Sequence, residues 1–272
     1  MVTQAIIPLA GLGTRLLPLS SVIPKELLPI NGKPNLEYIL DECLQAGIKQ
    51  FIFVVPKNRP SIKKYFFNDN FYKKILKKKK KDKRLKKVFK RLKKFQKMIK
   101  FVYQNKPEGT GHAVLQCKKY LKGTHFLMLL ADDLIVKKNC SKEMISLHNK
   151  TKGSVIATRK VERKTVSRWG ILGFKNKAKN SFLINDVIEK PKLSEAPSNY
   201  AIIGRYILPM KILSVLKNQG KGKGGEIHIT DAIKTLVNRN EKFYGNIFKG
   251  KYIDCGTLDG FVKSGLTISK YL

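Results

Sequence analysis

Residues 5–9 (A-I-I-P-L) form a short apolar run closed by Gly11 and Gly13, the pattern of a buried strand that hands over to a loop at its C-terminal end. Across residues 35–46 the apolar positions Leu36, Ile39, Leu40, Cys43 and Leu44 fall at i, i+3, i+4, i+7 and i+8, and Gly47 stands where a helix is stopped. An amphipathic helix is expected there. The runs at 51–55 (F-I-F-V-V), 99–103 (I-K-F-V-Y) and 126–130 (F-L-M-L-L) repeat the buried-strand pattern. Strands alternating with helical segments predict an α/β fold, a Rossmann-like, doubly wound and mostly parallel sheet with helices on both faces.

The second half reads differently. Residues 169–174, 181–189, 200–208 and 243–254 are strand-like, while 209–217 and 230–238 have helical spacing, Thr230-Asp231 serving as a helix start. Together they predict a smaller, β-rich subregion. Residues 258–272 are expected as a closing helix with Leu258, Phe261, Val262, Leu266 and Ile268 partly buried. No internal repeat is visible, and the whole of 1–272 is expected as a single domain, with halves at 1–135 and 136–272.

Residues 73–100 interrupt this order with 17 Lys or Arg, yet Leu85, Val88, Phe89, Leu92, Phe95 and Ile99 keep helical spacing. One amphipathic helical insertion with a swollen cationic face is predicted, its first part, 77–81, being low in complexity and mobile because like charges at i, i+4 oppose helix. The whole chain has 56 Lys and Arg against 19 Asp and Glu, a net +37. Such a balance raises nucleic acid or an anionic membrane as a partner. Against this, Lys dominates Arg, which is the residue preferred for bidentate phosphate and base contacts. The chain is also rich in Ile, Asn, Phe and Tyr. Compositional drift is therefore the preferred reading, and neither a specific nucleic acid nor a membrane is expected.

The four cysteines, Cys43, Cys117, Cys140 and Cys255, form no C-x-x-C pair and no zinc spacing. The N-terminus lacks a basic segment before its apolar run, so a signal peptide is not expected, and no apolar run nears the ~20 residues that span a bilayer. A cytoplasmic setting is expected.

Chemistry concentrates in a few places. In L-A-G-L-G-T-R at 9–15, Ala10, Gly11 and Gly13 let backbone N–H groups approach a phosphate without obstruction by a β-carbon, and Arg15 adds a fork-shaped donor. The loop is neither a Walker loop nor a full G-x-G-x-x-G fingerprint, since Leu16 stands where the third glycine belongs. Taken alone it is equally a tight turn. Lys25 lies between Pro24 and Pro29 in a short rigid segment, unlike the many lysines of solvated faces. Asp132-Asp133 follows the apolar run at 126–130, at the carboxyl edge where open α/β sheets bind ligands; a turn cap is the other reading.

With the following residues the pattern becomes specific. A-G-L-G-T-R (10–15), P-K-E-L-L-P (24–29) and G-K-P (32–34) are followed by G-T-G-H-A (109–113), L-A-D-D (130–133), W-G-I-L (169–172), I-E-K-P (188–191), A-P-S-N-Y-A-I-I-G-R-Y (196–206), G-E-I-H-I-T-D-A-I (225–233) and D-C-G-T (254–257). This series, spread over nearly the whole chain, resembles the bacterial UTP–glucose-1-phosphate uridylyltransferases, relatives of the glucose-1-phosphate thymidylyltransferases. P-K-E and the G-E-I-H-I-T-D-A-I block resemble the uridylyl branch more.

The resemblance implies a Mg²⁺-dependent transfer in which an oxygen of glucose 1-phosphate attacks the α-phosphorus of UTP in line, giving UDP-glucose and pyrophosphate. Such chemistry needs positioning and charge neutralisation, not a protein nucleophile. It implies that Ala10, Gly11, Leu12, Gly13 and Thr14 cradle the triphosphate, that Arg15 and Lys25 neutralise charge toward pyrophosphate, and that Gln104 and Gly109 read the base. Gly170, Glu189, Asn199 and Gly204 are implied for the sugar, Lys190 for its phosphate, and Asp132 with Asp254 for the metal. His112 is expected to be structural, and Glu226 a helix-start acid. Within enzymes the rival is a thymidylyltransferase; outside them it is a basic nucleic-acid-binding protein on the same fold. The chain departs from the family in its Lys-rich segment, in Ser20-Ser21 for a usual Thr-Lys, in Ala131 where Pro or Gly is common, and in a short C-terminus. A homo-oligomer, dimer or tetramer, is implied.

Overall fold

Residues of the first apolar run alternate between two cores, Ala5, Ile7 and Leu9 entering one and Ile6 the other, as the period of two in a strand requires. The computed structural model describes residues 1–271. In chain order its strands are β1 (Gln4–Pro8), β2 (Pro29–Ile30), β3 (Lys33–Pro34), β4 (Gln50–Val55), β5 (Ile99–Tyr103), β6 (His125–Leu129), β7 (Asp133–Val136), β8 (Ser154–Lys160), β9 (Gly170–Lys177), β10 (Ser181–Glu189), β11 (Tyr200–Pro209), β12 (Phe243–Ile247) and β13 (Lys251–Asp254). The helices are α1 (Leu19–Val22), α2 (Asn35–Gln45), α3 (Ser61–Phe67), α4 (Asp69–Lys78), α5 (Lys83–Met98), α6 (Thr110–Gln116), α7 (Cys140–Thr151), α8 (Ile212–Asn218), α9 (Ile229–Asn238) and α10 (Leu258–Ser269).

One nine-stranded sheet, ordered β5-β4-β1-β6-β11-β8-β12-β10-β9, runs through both halves of the chain. From β5 to β6 every pairing is parallel, which is the part that the strand-helix alternation foretold. Beyond β6 the sheet is mixed: β11 is antiparallel to β6 and β8, β12 returns parallel to β8, and β10 and β9 add antiparallel strands. Helices α2, α3, α5, α7 and α10 cover one face, and α6, α8 and α9 the other. Both faces of the sheet are thus covered over its central strands, while β10 at the far side turns Leu183 and Asn185 to solvent, and the polar ends of the strands are left for function. Among the described residues no helix is long and apolar enough to cross a membrane.

Three expectations need correction. The Lys-rich segment is two helices, not one: α4 ends at Lys78, and α5 begins after Asp82, whose Oδ1 accepts from Leu85 N at 2.8 Å. That cap breaks the run, and Ile99 belongs to β5 instead of the helix. Tyr72 of α4 stacks on Phe89 of α5, with centroids 5.7 Å apart, while Lys77 to Lys81 stay exposed. The strand-like stretch 243–254 is two strands in different sheets, since β13 leaves the main sheet to pair antiparallel with β7. On α10 the buried side is Ser264 and Ile268 with Phe261 packed beside them; Leu258, Val262 and Leu266 make a second apolar stripe that is exposed. Leu272, included in the expected closing helix, lies outside the described residues.

Candidate active site

Behind β1 the chain turns through Gly13 in the left-handed region, φ +67°, into a short 3₁₀ turn at Thr14–Leu16. Ser20 Oγ donates to Gly13 O at 2.8 Å and holds this turn in place. Ala10, Gly11, Leu12, Gly13, Thr14 and Arg15 line a compartment of about 540 Å³, with Lys25, Gln104 and Gly109 on its other walls. A second compartment of about 310 Å³ adjoins it, lined by Gly170, Glu189, Lys190, Gly204 and Asp254. Arg15, Thr110, Leu130, Asp132 and Glu226 line both. The cleft is therefore one trough in two parts that meet beside Asp132. A third concavity, about 380 Å³, lies among α2, β7 and α10 and shares no residue with this trough.

At the junction the acidic residues divide their tasks. Asp132 Oδ2 accepts from Lys25 Nζ at 2.6 Å. It also lies 2.8 Å from where a β-carbon on Gly256 would stand, and Asp254 Oδ1 lies 3.2 Å from the same point. Two carboxylates thus converge across a glycine that leaves the space between them open. Burial acts to raise the pKa of Asp132, but the Lys25 ammonium outweighs it and holds the carboxyl below its usual range. Burial likewise acts against the Lys25 ammonium, and Asp132 raises its pKa in spite of it. Asp133 is spent structurally, Oδ2 accepting from Gly204 N at 3.0 Å and Oδ1 from Tyr252 Oη at 2.6 Å. Burial, then the neighbouring Asp132 charge, push its pKa up to about 6. No cluster of three His, Cys, Asp or Glu ligands occurs among the described residues, so any cation here would draw its remaining oxygens from substrate or water.

On the first compartment's far wall, Gln104 is 4% exposed. Its Nε2 lies 2.9 Å from His112 Nδ1, and His112 Nε2 lies 2.8 Å from Gln116 Nε2, so the imidazole orients the carboxamide as a structural group. Gly109 adopts φ +102°, and a β-carbon there would stand 2.7 Å from Ile227 O. The close approach is set by two backbone bonds, Ile227 N to Glu108 O and Gly111 N to Ile227 O, both 2.8 Å. They zip the loop around Gly109 to the G-E-I-H segment. Glu226 lies ahead of α9, exposed at the rim of both compartments, and not in the helix's first turn.

Glu26 also lines the first compartment, 2% exposed, and burial raises its pKa to about 7. From the ordinary 4.5 up to about 7 the folded chain thus keeps a proton that the unfolded chain releases. The stability this carboxyl contributes is complete below its unfolded pKa and lost as pH rises through the folded one. Glu26→Gln is neutral at every pH. Its thermal midpoint relative to the parent should climb between pH 5 and pH 8, by roughly 2–4 °C for each kcal/mol at this chain size. A constant difference over that range would show that Glu26 ionises normally.

In the second compartment Glu189 Oε2 accepts from Thr230 Oγ1 at 2.9 Å, so Thr230 orients a cleft carboxylate and does not cap α9. Lys190 stands in the left-handed region, φ +45°, with its N donating to Trp169 O at 2.9 Å and Nζ 3.6 Å from Glu189 Oε1. Asn199 is placed elsewhere: its Nδ2 donates to Val161 O at 3.2 Å, and it lines neither compartment. Sequence reasoning passed over Glu26, Thr110, Thr230 and Tyr252. Glu26, Thr110 and Thr230 stood inside quoted motifs, whereas Tyr252 reaches the site only through the pairing of β13 with β7.

The chain matches known proteins over nearly its whole length. The nucleotidyl transferase family profile matches residues 4–270. UTP–glucose-1-phosphate uridylyltransferase 2 of Staphylococcus saprophyticus is 39% identical over 264 residues, 97% of this chain and 90% of that protein. A crystal structure of UDP-glucose pyrophosphorylase complexed with UDP-glucose superposes with a TM-score of 0.87 at 33% identity, covering 99% of both chains. UTP-bound UGPase from Acinetobacter baumannii gives a TM-score of 0.87 at 33% identity, covering 98% of this chain and 93% of that one.

Proposed function

The chain belongs to the nucleotidyl transferase family, and from that premise we propose that it converts UTP and glucose 1-phosphate into UDP-glucose and pyrophosphate. The observation that carries this reading is the two-part trough, whose compartments share Arg15 and Asp132 at their junction, where a phosphate of one substrate must meet a phosphate of the other. In the reaction, an oxygen of the sugar phosphate forms a bond to the α-phosphorus while the bond to the β-phosphate bridging oxygen breaks, and pyrophosphate leaves with that electron pair. No protein group needs to bond to phosphorus.

The triphosphate lies along residues 10–14, where backbone N–H groups and the open Cα of Gly11 allow close approach. Arg15 and Lys25 neutralise charge on the pyrophosphate side. Gln104 Oε1 has no protein donor among the described hydrogen bonds and is offered to the N3–H of uracil, a donor that cytosine lacks. Glu26, buried in the same compartment, accepts from a ribose hydroxyl, which deoxyribonucleotides lack at the 2′ position. On the sugar side Glu189, held by Thr230, accepts from glucose hydroxyls, Gly170 leaves room for the ring, Gly204 lines the same compartment through its backbone, and Lys190 pairs with the sugar's phosphate.

Asp132 and Asp254 would hold Mg²⁺, because their carboxylates converge on the junction and each keeps one oxygen without a donor among the described hydrogen bonds, Oδ2 of Asp132 accepting from Lys25 and Oδ1 of Asp254 from Gly256 N, whereas both oxygens of Asp133 are occupied. Bound there, the ion supplies Lewis-acid neutralisation of charge on the α-phosphate.

The direct test is pyrophosphate release with UTP, dTTP, CTP, ATP and GTP against glucose 1-phosphate. UTP should be preferred, and a preference for dTTP overturns the uridylyl reading. Lys190→Ala should raise KM for glucose 1-phosphate by roughly tenfold or more, the loss of one charge-assisted contact, and leave KM for UTP within about twofold. Lys25→Ala should act on UTP and on turnover. Equal effects of Lys190→Ala on both substrates would make Lys190 a fold residue. Exchanging Lys77, Lys78, Lys79, Lys80 and Lys81 for Gln should leave kcat/KM near the parent value, since all five are exposed and outside the trough. A large loss of kcat/KM would contradict the drift reading of the cationic segment.

A further inference from the structure

Four consecutive backbone carbonyls follow β6, and each is held by a donor from a distant part of the chain. Leu130 O accepts from Arg205 Nη1 at 3.1 Å and Ala131 O from Asn35 Nδ2 at 2.8 Å. Asp132 O accepts from Cys255 N at 2.8 Å and Asp133 O from Arg205 Nη2 at 2.6 Å. Arg205 therefore grips both ends of the segment that carries Asp132. Its other donors are spent as well, Nη1 also on Gly204 O at 3.0 Å, and Nε and Nη2 on the Glu42 carboxylate at 2.9 to 3.3 Å. Glu42 Oε1 accepts in addition from Ser141 N at 3.0 Å and Ser141 Oγ at 2.6 Å.

Arg205 is completely buried and Glu42 nearly so. A buried ion pair is a poor device for stability alone, because well-packed apolar residues of similar volume replace such pairs at little cost. What apolar residues cannot supply is N–H donors for Leu130 O and Asp133 O. Only a guanidinium has a planar fork with enough donors to face a carboxylate and reach three carbonyls at once. The second anchor, Asn35, opens α2, the helix that carries Glu42 and follows the segment of Lys25 and Glu26 after the short β2–β3 hairpin. One rigid helix thus ties the nucleotide side to the 130–133 segment at two points.

We propose that Arg205, fixed by Glu42, is a positioning residue for the cation site: it sets the 130–133 segment so that the Asp132 carboxylate meets Asp254 across Gly256, with Asn35 serving the same segment. This rests on the assignment of Asp132 to Mg²⁺ above. Disturbing groups that orient a metal ligand typically weakens metal binding by roughly 10–100-fold.

The test is Mn²⁺ binding followed by electron paramagnetic resonance, with a saturating UTP analogue whose α,β-bridge is methylene, in the parent protein and in D132N, E42L/R205M, R205K and N35A. E42L/R205M removes both charges of the pair together, leaves the Asp133 carboxyl on Gly204 N and Tyr252 Oη, and frees both carbonyls. Its Mn²⁺ dissociation constant should rise about 10–100-fold. Its kcat should fall at saturating Mg²⁺ while KM for glucose 1-phosphate stays within about twofold. R205K, whose single ammonium cannot span the segment, should shift Mn²⁺ affinity in the same direction, and N35A by a smaller factor. Parent-like Mn²⁺ affinity in a folded E42L/R205M protein overturns the proposal; should that protein not fold by circular dichroism, parent-like affinity in R205K overturns it. D132N separates the two claims. If it too binds Mn²⁺ like the parent, the metal assignment itself falls and the positioning role with it. If D132N weakens Mn²⁺ but the bracing variants do not, the positioning role alone is lost.

Discussion

Asp132→Asn and Asp254→Asn should each lower kcat by roughly 10²-fold or more, the scale on which enzymes lose rate when one preorganised electrostatic contact at the reacting centre is removed. Each exchange takes an anionic oxygen from the junction and leaves the shape of the side chain. Their effects on stability should differ. Asp254 Oδ1 accepts from Gly256 N at 2.8 Å, a bond that an asparagine oxygen keeps, so Asp254→Asn should melt near the parent temperature. Asp132 is the partner of Lys25 at 2.6 Å, and Asp132→Asn leaves that ammonium largely buried with Glu26, whose pKa is pushed up to about 7, as its remaining acidic neighbour. A loss of about 1–3 kcal/mol is expected, below the roughly 3–5 kcal/mol cost of breaking a fully buried pair because both side chains keep some contact with water. Steady-state rates at limiting Mg²⁺ with thermal melts check both halves. Parent-like turnover in either variant would remove that residue from the metal site.

What the sequence reveals is what local pattern encodes. The strands β1, β4, β5 and β6 and helix α2 were legible because each carries its own burial signature, an apolar run in the strands and a period of 3.6 in the helix, inside five to eleven residues. β10 was found to its ends. β8 went unread, since in S-V-I-A-T-R-K the apolar run is only three residues long and the polar tail hides a strand that is buried because β11 and β12 flank it. Strand pairing has no local signature. The separation of β13 from β12, and with it the placing of Tyr252 on Asp133, follows from a partnership with β7 more than a hundred residues away in the chain. On α10 periodicity gave two apolar stripes and could not choose between them; packing of Phe261 and Ile268 on the core decided it.

The candidate site shows the same division. Gly11, Arg15, Lys25 and Asp132 were legible because glycines after a strand, a lysine between prolines and an acid at a strand's end each have a mechanical reason to stand there. The distinction between Asp132 and Asp133 was not, because neighbouring acids look alike until Gly204 N and Tyr252 Oη claim one of them. Asn199 looked equivalent to its motif neighbours, yet its carboxamide ties the start of β11 to Val161 just beyond β8. Asn199 stands just ahead of β11, where its own carbonyl also accepts from Val161 N at 2.9 Å, so the entry into the strand fixes it and its motif neighbours follow the strand.

Two glycines that look alike in sequence should respond in opposite ways to a single methyl group. Nothing lies within 4 Å of a β-carbon on Gly11, so Gly11→Ala should leave the thermal midpoint unchanged. That empty space is where the backbone meets the triphosphate, and the added methyl should raise KM for UTP and cut kcat/KM by roughly 10²-fold, the cost of displacing a bound phosphate by about 1 Å. A β-carbon on Gly204 would stand 2.4 Å from Asp133 Oδ2 and 2.6 Å from Leu130 Cβ. Neither neighbour can give way cheaply: Asp133 is held by Tyr252, and Leu130 is hydrogen-bonded through its N to Gly204 O at 2.8 Å. Gly204→Ala should therefore cost about 1–3 kcal/mol or more through overpacking. The 130–133 segment must shift with it, so turnover should also fall by roughly 10²-fold at saturating UTP and Mg²⁺. Thermal melts and initial rates on the two variants decide the matter. A destabilised Gly11→Ala would mean that the loop packs on protein instead of substrate, and a fully active Gly204→Ala would mean that the Asp132 segment moves without consequence for the reaction.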